Sequence, residues 1–294
     1  MIIQDIMCKL FGGIEEMKNS INYVKIKRDK EGICNICGDM SILSWDHIPP
    51  KSAIFFSDVE ITSIFNKYSE EKYPREYSQN GTKFRTICGK CNNELGTYYD
   101  VSFVEFINDA TKKIVTGFPN EESITCKIKP TKVIKSLFGH LLAAKGDYED
   151  SLIDIEMRKF LLDKSLWKPE FNIFYWFHPY PNIEIMRDVA ICKIETNSKP
   201  KPDVFSILKM YPIAFYVTKE ETYKHLNNIN NLKYYCSSDF DEDVEVPLNI
   251  STKELIHSNW PILVDDNTLL LAGPSIKSSV VSKPRNLRKI NNLS

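Results

Sequence analysis

The sequence has no run of 18 or more apolar residues and almost no net charge, −1 over 294 residues. A helix that crosses a membrane needs about 20 apolar residues, so no membrane span is predicted. The start, MIIQDIMCKLFGG, carries an acid where a signal peptide carries a basic group, which favours a cytoplasmic protein. The sequence also lacks a glycine-rich phosphate loop and internal repeats, which excludes P-loop NTPases and solenoids.

Cysteine is scarce for a disulfide scaffold, with eight residues, but four of the cysteines form two CxxC pairs. Two pairs of this kind supply four thiolates to one tetrahedral Zn²⁺ and leave no position for substrate, so a structural zinc is predicted. The four predicted ligands are Cys34, Cys37, Cys88 and Cys91. The remaining cysteines lack such partners and are predicted to be small buried residues: Cys8, Cys126, Cys192 and Cys236.

Polar residues of a second kind accompany these pairs. The dipeptide Asp46-His47 lies between the pairs, and Asn92 directly follows the second pair. Carboxylate and amide oxygens suit a hard divalent ion, and imidazole suits a proton acceptor. The pattern therefore indicates a metal-dependent nuclease. Asn93 is the neighbouring alternative, because a register error of one residue would exchange it with Asn92.

Local patterns predict an order of strands and helices in the first part of the chain. Residues 20–33 and 40–47 read as strands, and Asn80-Gly81 reads as a turn before a strand over 82–87. Residues 92–115 read as a helix, kinked near Gly96. The insertion between them carries aromatic residues that predict a small satellite core, with base stacking as the alternative: Phe55, Phe56, Phe65, Tyr68, Tyr73 and Tyr77.

The whole chain is predicted to be α+β, with two domains. Residues 1–30 form a lead-in, 31–118 a zinc-stapled domain, 119–275 a second α+β domain and 276–294 a basic tail. The second domain begins with amphipathic helices over 131–144 and 151–164 and continues as a β-rich stretch. The tail has two readings, a disordered segment or a phosphate-binding one, and its basic residues are Lys277, Lys283, Arg285, Arg288 and Lys289.

Four histidines lie outside the motif and are predicted to be structural rather than ligands. His140 lies on an apolar helical face, and His178, His225 and His257 lie in contexts without a motif.

The order CxxC, DH and CxxCN over residues 31–117 resembles the zinc-bearing HNH endonucleases of the ββα-metal, or His-Me finger, class. The resemblance implies a ββα-metal fold for this domain, with Asp46 and Asn92 binding a catalytic Mg²⁺ and His47 as general base. Mn²⁺ or another divalent ion is an alternative. Many members carry a third metal-binding histidine on the helix, whereas this chain has Gly96 one turn after Asn92.

The expected activity is hydrolysis of nucleic-acid phosphodiester bonds, which leaves a 5′-phosphate and a 3′-hydroxyl. DNA is favoured over RNA as the nucleic-acid partner. One alternative is a zinc-dependent module that binds nucleic acid or protein and cleaves nothing. A further alternative is an effector nuclease of bacterial anti-phage defence, held inactive until a regulatory protein partner, self-association or a nucleotide signal engages the second domain.

Overall fold

The computed structural model describes residues 24–54, 58–64, 75–117, 121–193, 203–220, 228–261, 268–272 and 278–285. Within these ranges the chain forms four α-helices: α1 (Gly89–Tyr98), α2 (Asp100–Thr116), α3 (Pro130–Ala143) and α4 (Leu152–Leu162). The same ranges contain fourteen strands: β1 (Glu31–Ile33), β2 (Met40–His47), β3 (Val59–Ser63), β4 (Glu76–Ser78), β5 (Lys83–Cys88), β6 (Ser123–Ile128), β7 (Asn172–Phe177), β8 (Ile183–Lys193), β9 (Asp203–Lys209), β10 (Ile213–Thr218), β11 (Asn230–Asn231), β12 (Val244–Asn249), β13 (Thr268–Ala272) and β14 (Val280–Pro284). The prediction of mixed α and β structure is confirmed.

A three-stranded sheet, in the order β1-β2-β5, carries the sequence motif. Strands β2 and β5 are antiparallel, and their register shifts between Ser44 and Trp45. The turn before β5 has positive φ at Asn80 (65°) and Gly81 (88°), as the sequence predicted. Strand β5 runs directly into α1, so the strand that pairs with Asp46-His47 also leads to Asn92. In the predicted strand over 20–33, the described part contains β1 and an isolated bridge at Lys27.

A nine-stranded sheet forms the larger part of the structure. Its order is β11-β7-β10-β9-β8-β14-β3-β4, and β13 pairs with β8. Side chains alternate between the two faces of a strand, and β7 illustrates this. Ile173 and Tyr175 belong to the main hydrophobic core, whereas Phe174 and Trp176 belong to a second core on the other face. The sheet is therefore covered by apolar side chains on both faces.

The insertion between β2 and β5 contributes two strands to this large sheet. Strand β3 pairs with β4 and with β14, so residues from the first and the last quarter of the chain meet there. Because Val280–Pro284 forms β14, this part of the predicted tail is a strand of the sheet. Tyr77 is exposed, with the Arg285 guanidinium 4.8 Å from its ring centroid. The other predicted insertion aromatics and the basic residues Lys277, Arg288 and Lys289 lie outside the described residues.

The main hydrophobic core extends across the predicted domain boundary at residues 118 and 119. The ring of Phe103 on α2 lies 5.5 Å from the ring of Phe215 on β10. The ring of Phe106 lies 6.0 Å from that of Tyr175 on β7. The helix that follows the motif therefore packs on the sheet of the C-terminal half.

The predicted helix over 92–115 is two helices, α1 and α2, which meet at Tyr99 rather than bending near Gly96. Tyr99 departs from helical geometry, with φ −127° and ψ −39°. Its side chain is buried, so packing fixes the break at a residue that has no breaker signal in the sequence. The predicted helices over 131–144 and 151–164 are confirmed as α3 and α4. In the described ranges, no helix combines the length and apolar character that a membrane crossing requires.

Candidate functional site

The four cysteines of the two CxxC pairs meet in one cluster. Their sulfur atoms all lie within 4.8 Å of one another. Four sulfurs on a tetrahedral Zn²⁺ with bonds of about 2.3 Å would be roughly 3.8 Å apart, so the cluster fits this ion with small adjustments. The prediction that four cysteines come together is confirmed: Cys34, Cys37, Cys88 and Cys91.

Backbone N–H groups donate to two of the four sulfur atoms. The Cys88 N–H donates to Cys34 Sγ at 3.2 Å, and the Cys91 N–H donates to Cys88 Sγ at 3.4 Å. The second of these bonds also caps the N-terminus of α1. A hydrogen bond from the Cys91 thiol lowers the pKa of Cys34 to about 4 and raises the pKa of Cys91. Cysteine sulfur atoms that accept hydrogen bonds from backbone N–H groups are typical of a zinc knuckle.

Of the other cysteines, Cys126 and Cys192 are buried, as predicted. Cys236 is half-buried, and Cys8 lies outside the described residues. None of these described cysteines belongs to the four-cysteine cluster.

Beside this cluster lies a cleft with a volume of about 430 Å³. Asp46 and His47 at the end of β2 form one side, and Asn92 on α1 forms another. The turn at Lys51–Ala53 contributes Lys51, and α2 contributes Asp100. The three residues predicted to carry the chemistry therefore line one concave surface.

Asp46 is held by a histidine from the other half of the chain. His140 on α3 contacts Asp46 Oδ2 through Nδ1 at 2.9 Å and Asp100 Oδ1 through Nε2 at 3.0 Å. Burial alone would lower the pKa of His140, but Asp46 and Asp100 outweigh it and raise the pKa to about 10. The imidazole is therefore charged at neutral pH and donates from both nitrogens. Sequence reasoning missed this arrangement and assigned His140 no role at the site.

His47 lines the cleft, and its Nε2 atom has no hydrogen-bond partner among the described residues. Burial lowers the pKa of its imidazole, Lys83 and Lys51 lower it further, and Asp46 acts in the opposite direction. The neutral ring, which is the form that can accept a proton, is thereby favoured. The His47 ring also forms a hydrogen bond with the Asn80 backbone, which holds the ring against the turn before β5.

Asn92 is anchored by its amide nitrogen. Nδ2 donates to Ser44 Oγ at 3.2 Å and to the Trp45 carbonyl at 3.0 Å. Both acceptors lie at the register shift of β2. Because the amide NH₂ group is engaged, the carbonyl oxygen Oδ1 is the atom that remains for a ligand. Asn93 is exposed and does not line the cleft.

No protein-family model, curated protein or solved structure matches this chain.

A second group of carboxylates, Glu149, Asp154 and Asp188, is also close enough to hold an ion. The ammonium group of Lys145 already contacts all three, at 2.8 Å from Glu149, at 2.6 Å from Asp188 and closely at Asp154. Arg187 adds a contact to Asp154 at 2.7 Å. These two cations compensate the acidic charge, so this group is a buried ion-pair network.

Two of the other histidines have described surroundings. His178 is buried, with its ring centroid 4.9 Å from that of Tyr180. His257 is exposed, and its Nδ1 accepts a hydrogen bond from the Asn259 N–H. Neither lines the cleft, and His225 lies outside the described residues.

Proposed function

We propose that this chain is a metal-dependent endonuclease of the HNH type that hydrolyses phosphodiester bonds in nucleic acid. The observation that carries the proposal is the single cleft lined by Asp46, His47 and Asn92 beside a cluster of four cysteines. The antiparallel pair β2 and β5, followed by α1, supplies two strands and a helix in the order expected of a ββα-metal site.

Asp46 and Asn92 are the residues that would hold one divalent ion, Mg²⁺ first, with Mn²⁺ or another ion as the alternative. The Asp46 carboxylate and the Asn92 amide offer oxygen, the donor that Mg²⁺ prefers. Two protein ligands suit this ion, because it keeps several waters and takes its other ligands from substrate phosphate. When bound, the ion supplies stabilisation of the negative charge that develops on the phosphate and the leaving oxygen.

His47 would act as the general base. His47 lines the cleft, and its buried Nε2 atom has no hydrogen-bond partner among the described residues, so this nitrogen is free to take a proton from the water that attacks phosphorus. Cleavage of the P–O3′ bond then leaves a 5′-phosphate and a 3′-hydroxyl. Lys51 lies in the same cleft, where its ammonium group can neutralise a bound phosphate.

DNA is the favoured substrate, and the overall charge of −1 means that binding must use local contacts. Trp45 supports such contacts, because its indole lines the cleft and is 44% exposed. The Arg85 guanidinium lies 5.4 Å from the centroid of this ring. An exposed aromatic ring beside a basic group is typical of residues that stack on nucleic-acid bases.

The C-terminal half would target or regulate the nuclease. It supplies His140 to the site, so a partner or a second copy of the chain that binds there could affect the position of Asp46. A role as an effector of anti-phage defence agrees with this arrangement.

The test is a cleavage assay with purified, zinc-loaded protein on single-stranded, duplex and junction DNA and on RNA, with Mg²⁺ or with a chelator. We expect Mg²⁺-dependent cleavage by the parent and a loss of about 10² to 10⁴ in rate for His47→Ala, because a general base typically contributes that much. His257→Ala is the matched control, since His257 is exposed and lies outside the cleft.

Ligation of the product ends without prior treatment would identify a 5′-phosphate and a 3′-hydroxyl. Binding of nucleic acid without cleavage of any substrate, in the presence of Mg²⁺ or Mn²⁺, would replace the proposal with a zinc-dependent binding module. Equal rates for the parent and His47→Ala would remove His47 from the mechanism.

A further inference from the structure

His140 is an unusual residue for its position on α3. Its neighbours on the same helix, Leu137 and Leu141, belong to the main hydrophobic core. The His140 side chain is only 1% exposed, and a leucine there would fill the space without needing a polar partner. The imidazole instead has a carboxylate on each nitrogen, Asp46 on one side and Asp100 on the other. Its role is therefore not explained by packing.

The bond to His140 is made by one oxygen of Asp46. The described contact is through Oδ2, and the Asp46 side chain is 6% exposed and lines the cleft. A carboxylate with one oxygen fixed from behind can rotate little, so its second oxygen, Oδ1, keeps a defined direction. In a metal site, hydrogen bonds of this kind orient the ligand before the ion arrives.

The ring of His140 is itself fixed on its far side. Asp100 Oδ1 accepts a hydrogen bond from Nε2 and another from Ser136 Oγ, the second at 2.7 Å. Ser136 lies on α3, one turn before His140, and Asp100 is the first residue of α2. The chain of contacts therefore runs from Ser136 through Asp100 and His140 to Asp46, and it joins three elements.

We propose that His140 is a positioning residue that holds the Asp46 carboxylate in the orientation required for ion binding. The inference rests on the proposed function, since it assumes that the divalent ion is bound at Asp46. It adds a residue from the C-terminal half to the site, with Asp100 as the group that fixes the ring. His140 itself does not touch the ion or the substrate.

Two substitutions separate the two hydrogen bonds of the ring. In His140→Asn the amide nitrogen lies one bond beyond Cγ, as Nδ1 does, so the bond to Asp46 can persist while the bond to Asp100 is lost. In His140→Gln the amide nitrogen takes the place of Nε2, so the bond to Asp100 can persist while the bond to Asp46 is lost. The pair is matched in chemistry and differs in which carboxylate is held.

The measurement is Mn²⁺ binding to zinc-loaded, full-length protein, followed by the electron paramagnetic resonance signal of the free ion. Asp46→Ala shows the effect of losing the ligand. We expect His140→Gln to weaken Mn²⁺ binding by about 10- to 100-fold, because loss of a group that orients a metal ligand typically costs this much. His140→Asn should remain within about threefold of the parent. Zinc content and thermal unfolding of each variant are recorded in parallel.

Parent-like Mn²⁺ binding by His140→Gln, or equal weakening in both variants, would overturn the inference while leaving the proposed function intact. Parent-like binding by Asp46→Ala would instead contradict ion binding at Asp46, and with it the proposed function. If His140→Gln does not fold, His140→Leu provides the decision, because leucine fills the apolar space and removes the bond to Asp46. Mn²⁺ binding should then weaken by about 10- to 100-fold, and unchanged binding would overturn the inference.

Discussion

Asn92 and Asn93 are adjacent on the first turns of α1, yet their surroundings differ completely. Asn92 is clamped to Ser44 and Trp45 and lines the cleft, whereas Asn93 is exposed and lies outside it. The sequence left open whether Asn92 or Asn93 is the ligand, and this difference in surroundings distinguishes the two residues. At the scale of single residues, the amide contacts favour Asn92 as the candidate ion ligand.

Asn92→Ala should therefore reduce cleavage at limiting Mg²⁺ by at least about tenfold, since it removes an oxygen donor and the clamp on β2. The lost hydrogen bonds should also lower the free energy of unfolding by about 1 kcal/mol each. Asn93→Ala should behave like the parent in both respects. Cleavage rates over a Mg²⁺ titration, with zinc content as the control, provide the measurement. The opposite ranking of the two variants would shift the ligand by one residue.

The residues that the sequence predicted are those whose signal is local. The cysteine pairs have a fixed spacing, and Asp46, His47 and Asn92 lie close in sequence to elements whose cysteines form one cluster. Asp100 and His140 lie on two different helices and meet only after α2 and α3 have packed. No spacing within the sequence indicates such a contact. The one available signal was a histidine on an apolar helical face, which requires a buried partner.

At the scale of elements, α1 and α3 pack against each other through Leu95 on α1 and Gly139 on α3. A methyl group at Gly139 on α3 would overlap the side chain of Leu95 on α1, which is buried. Leu95 lies one turn after Cys91, so the packing of Gly139 helps to fix the helix that carries both Cys91 and Asn92. Gly96, on the cleft side of the same helix, has open space around it.

These two helical glycines make a matched pair of stability predictions. Gly139→Ala should lower the free energy of unfolding by about 1 to 3 kcal/mol, because an extra methyl group in a packed core forces its neighbours to shift. Gly96→Ala should raise it by roughly 0.5 to 1 kcal/mol, because alanine is the better helix former and meets no obstacle. Denaturant unfolding of both variants measures the difference. A stabilising Gly139→Ala would mean that Leu95 moves away without cost.

The long elements were predictable because their patterns are strong. Helices α3 and α4 coincide closely with their predicted segments, and strands β7 to β10 lie in the β-rich stretch that was predicted after them. Strands β6 and β12 were not predicted individually, because they pair with each other across more than a hundred residues and no local pattern indicates that pairing. The break at Tyr99 was also missed, since a buried aromatic residue is not a sequence signal for the end of a helix.

At the scale of the whole molecule, the first CxxC pair is bonded directly to the C-terminal end of α3 and the residues that follow it. Asn35 Nδ2 donates to the carbonyls of Leu142 at 3.0 Å and Lys145 at 2.7 Å. Arg158 on α4 donates in turn to the Asn35 carbonyl at 2.8 Å. Asn35 stands between Cys34 and Cys37, so the cysteine cluster and the helices of the C-terminal half share one set of contacts. The sequence could not predict this, because its motifs describe each half separately.

Loss of zinc should consequently unfold more than the motif region. Structural zinc contributes about 10 to 16 kcal/mol in small zinc domains, which matches or exceeds the whole stability of a typical protein, about 5 to 15 kcal/mol. We expect Cys88→Ser to carry no zinc. It should also lose the emission that is characteristic of buried tryptophan, which Trp176 and Trp260 supply from the second core on the far face of the large sheet. Cys236→Ser, outside the cluster, should keep about one zinc per chain.

Metal analysis and tryptophan fluorescence during thermal unfolding provide the measurement for these variants. A single transition in the parent that is absent in Cys88→Ser would mean that the zinc knuckle, α3 and the large sheet fold as one cooperative unit. Two separate transitions, with the signal of Trp176 and Trp260 preserved in Cys88→Ser, would instead mean that the contacts of Asn35 are too weak to couple the two halves. Zinc retained in Cys88→Ser would exclude the four-cysteine site itself.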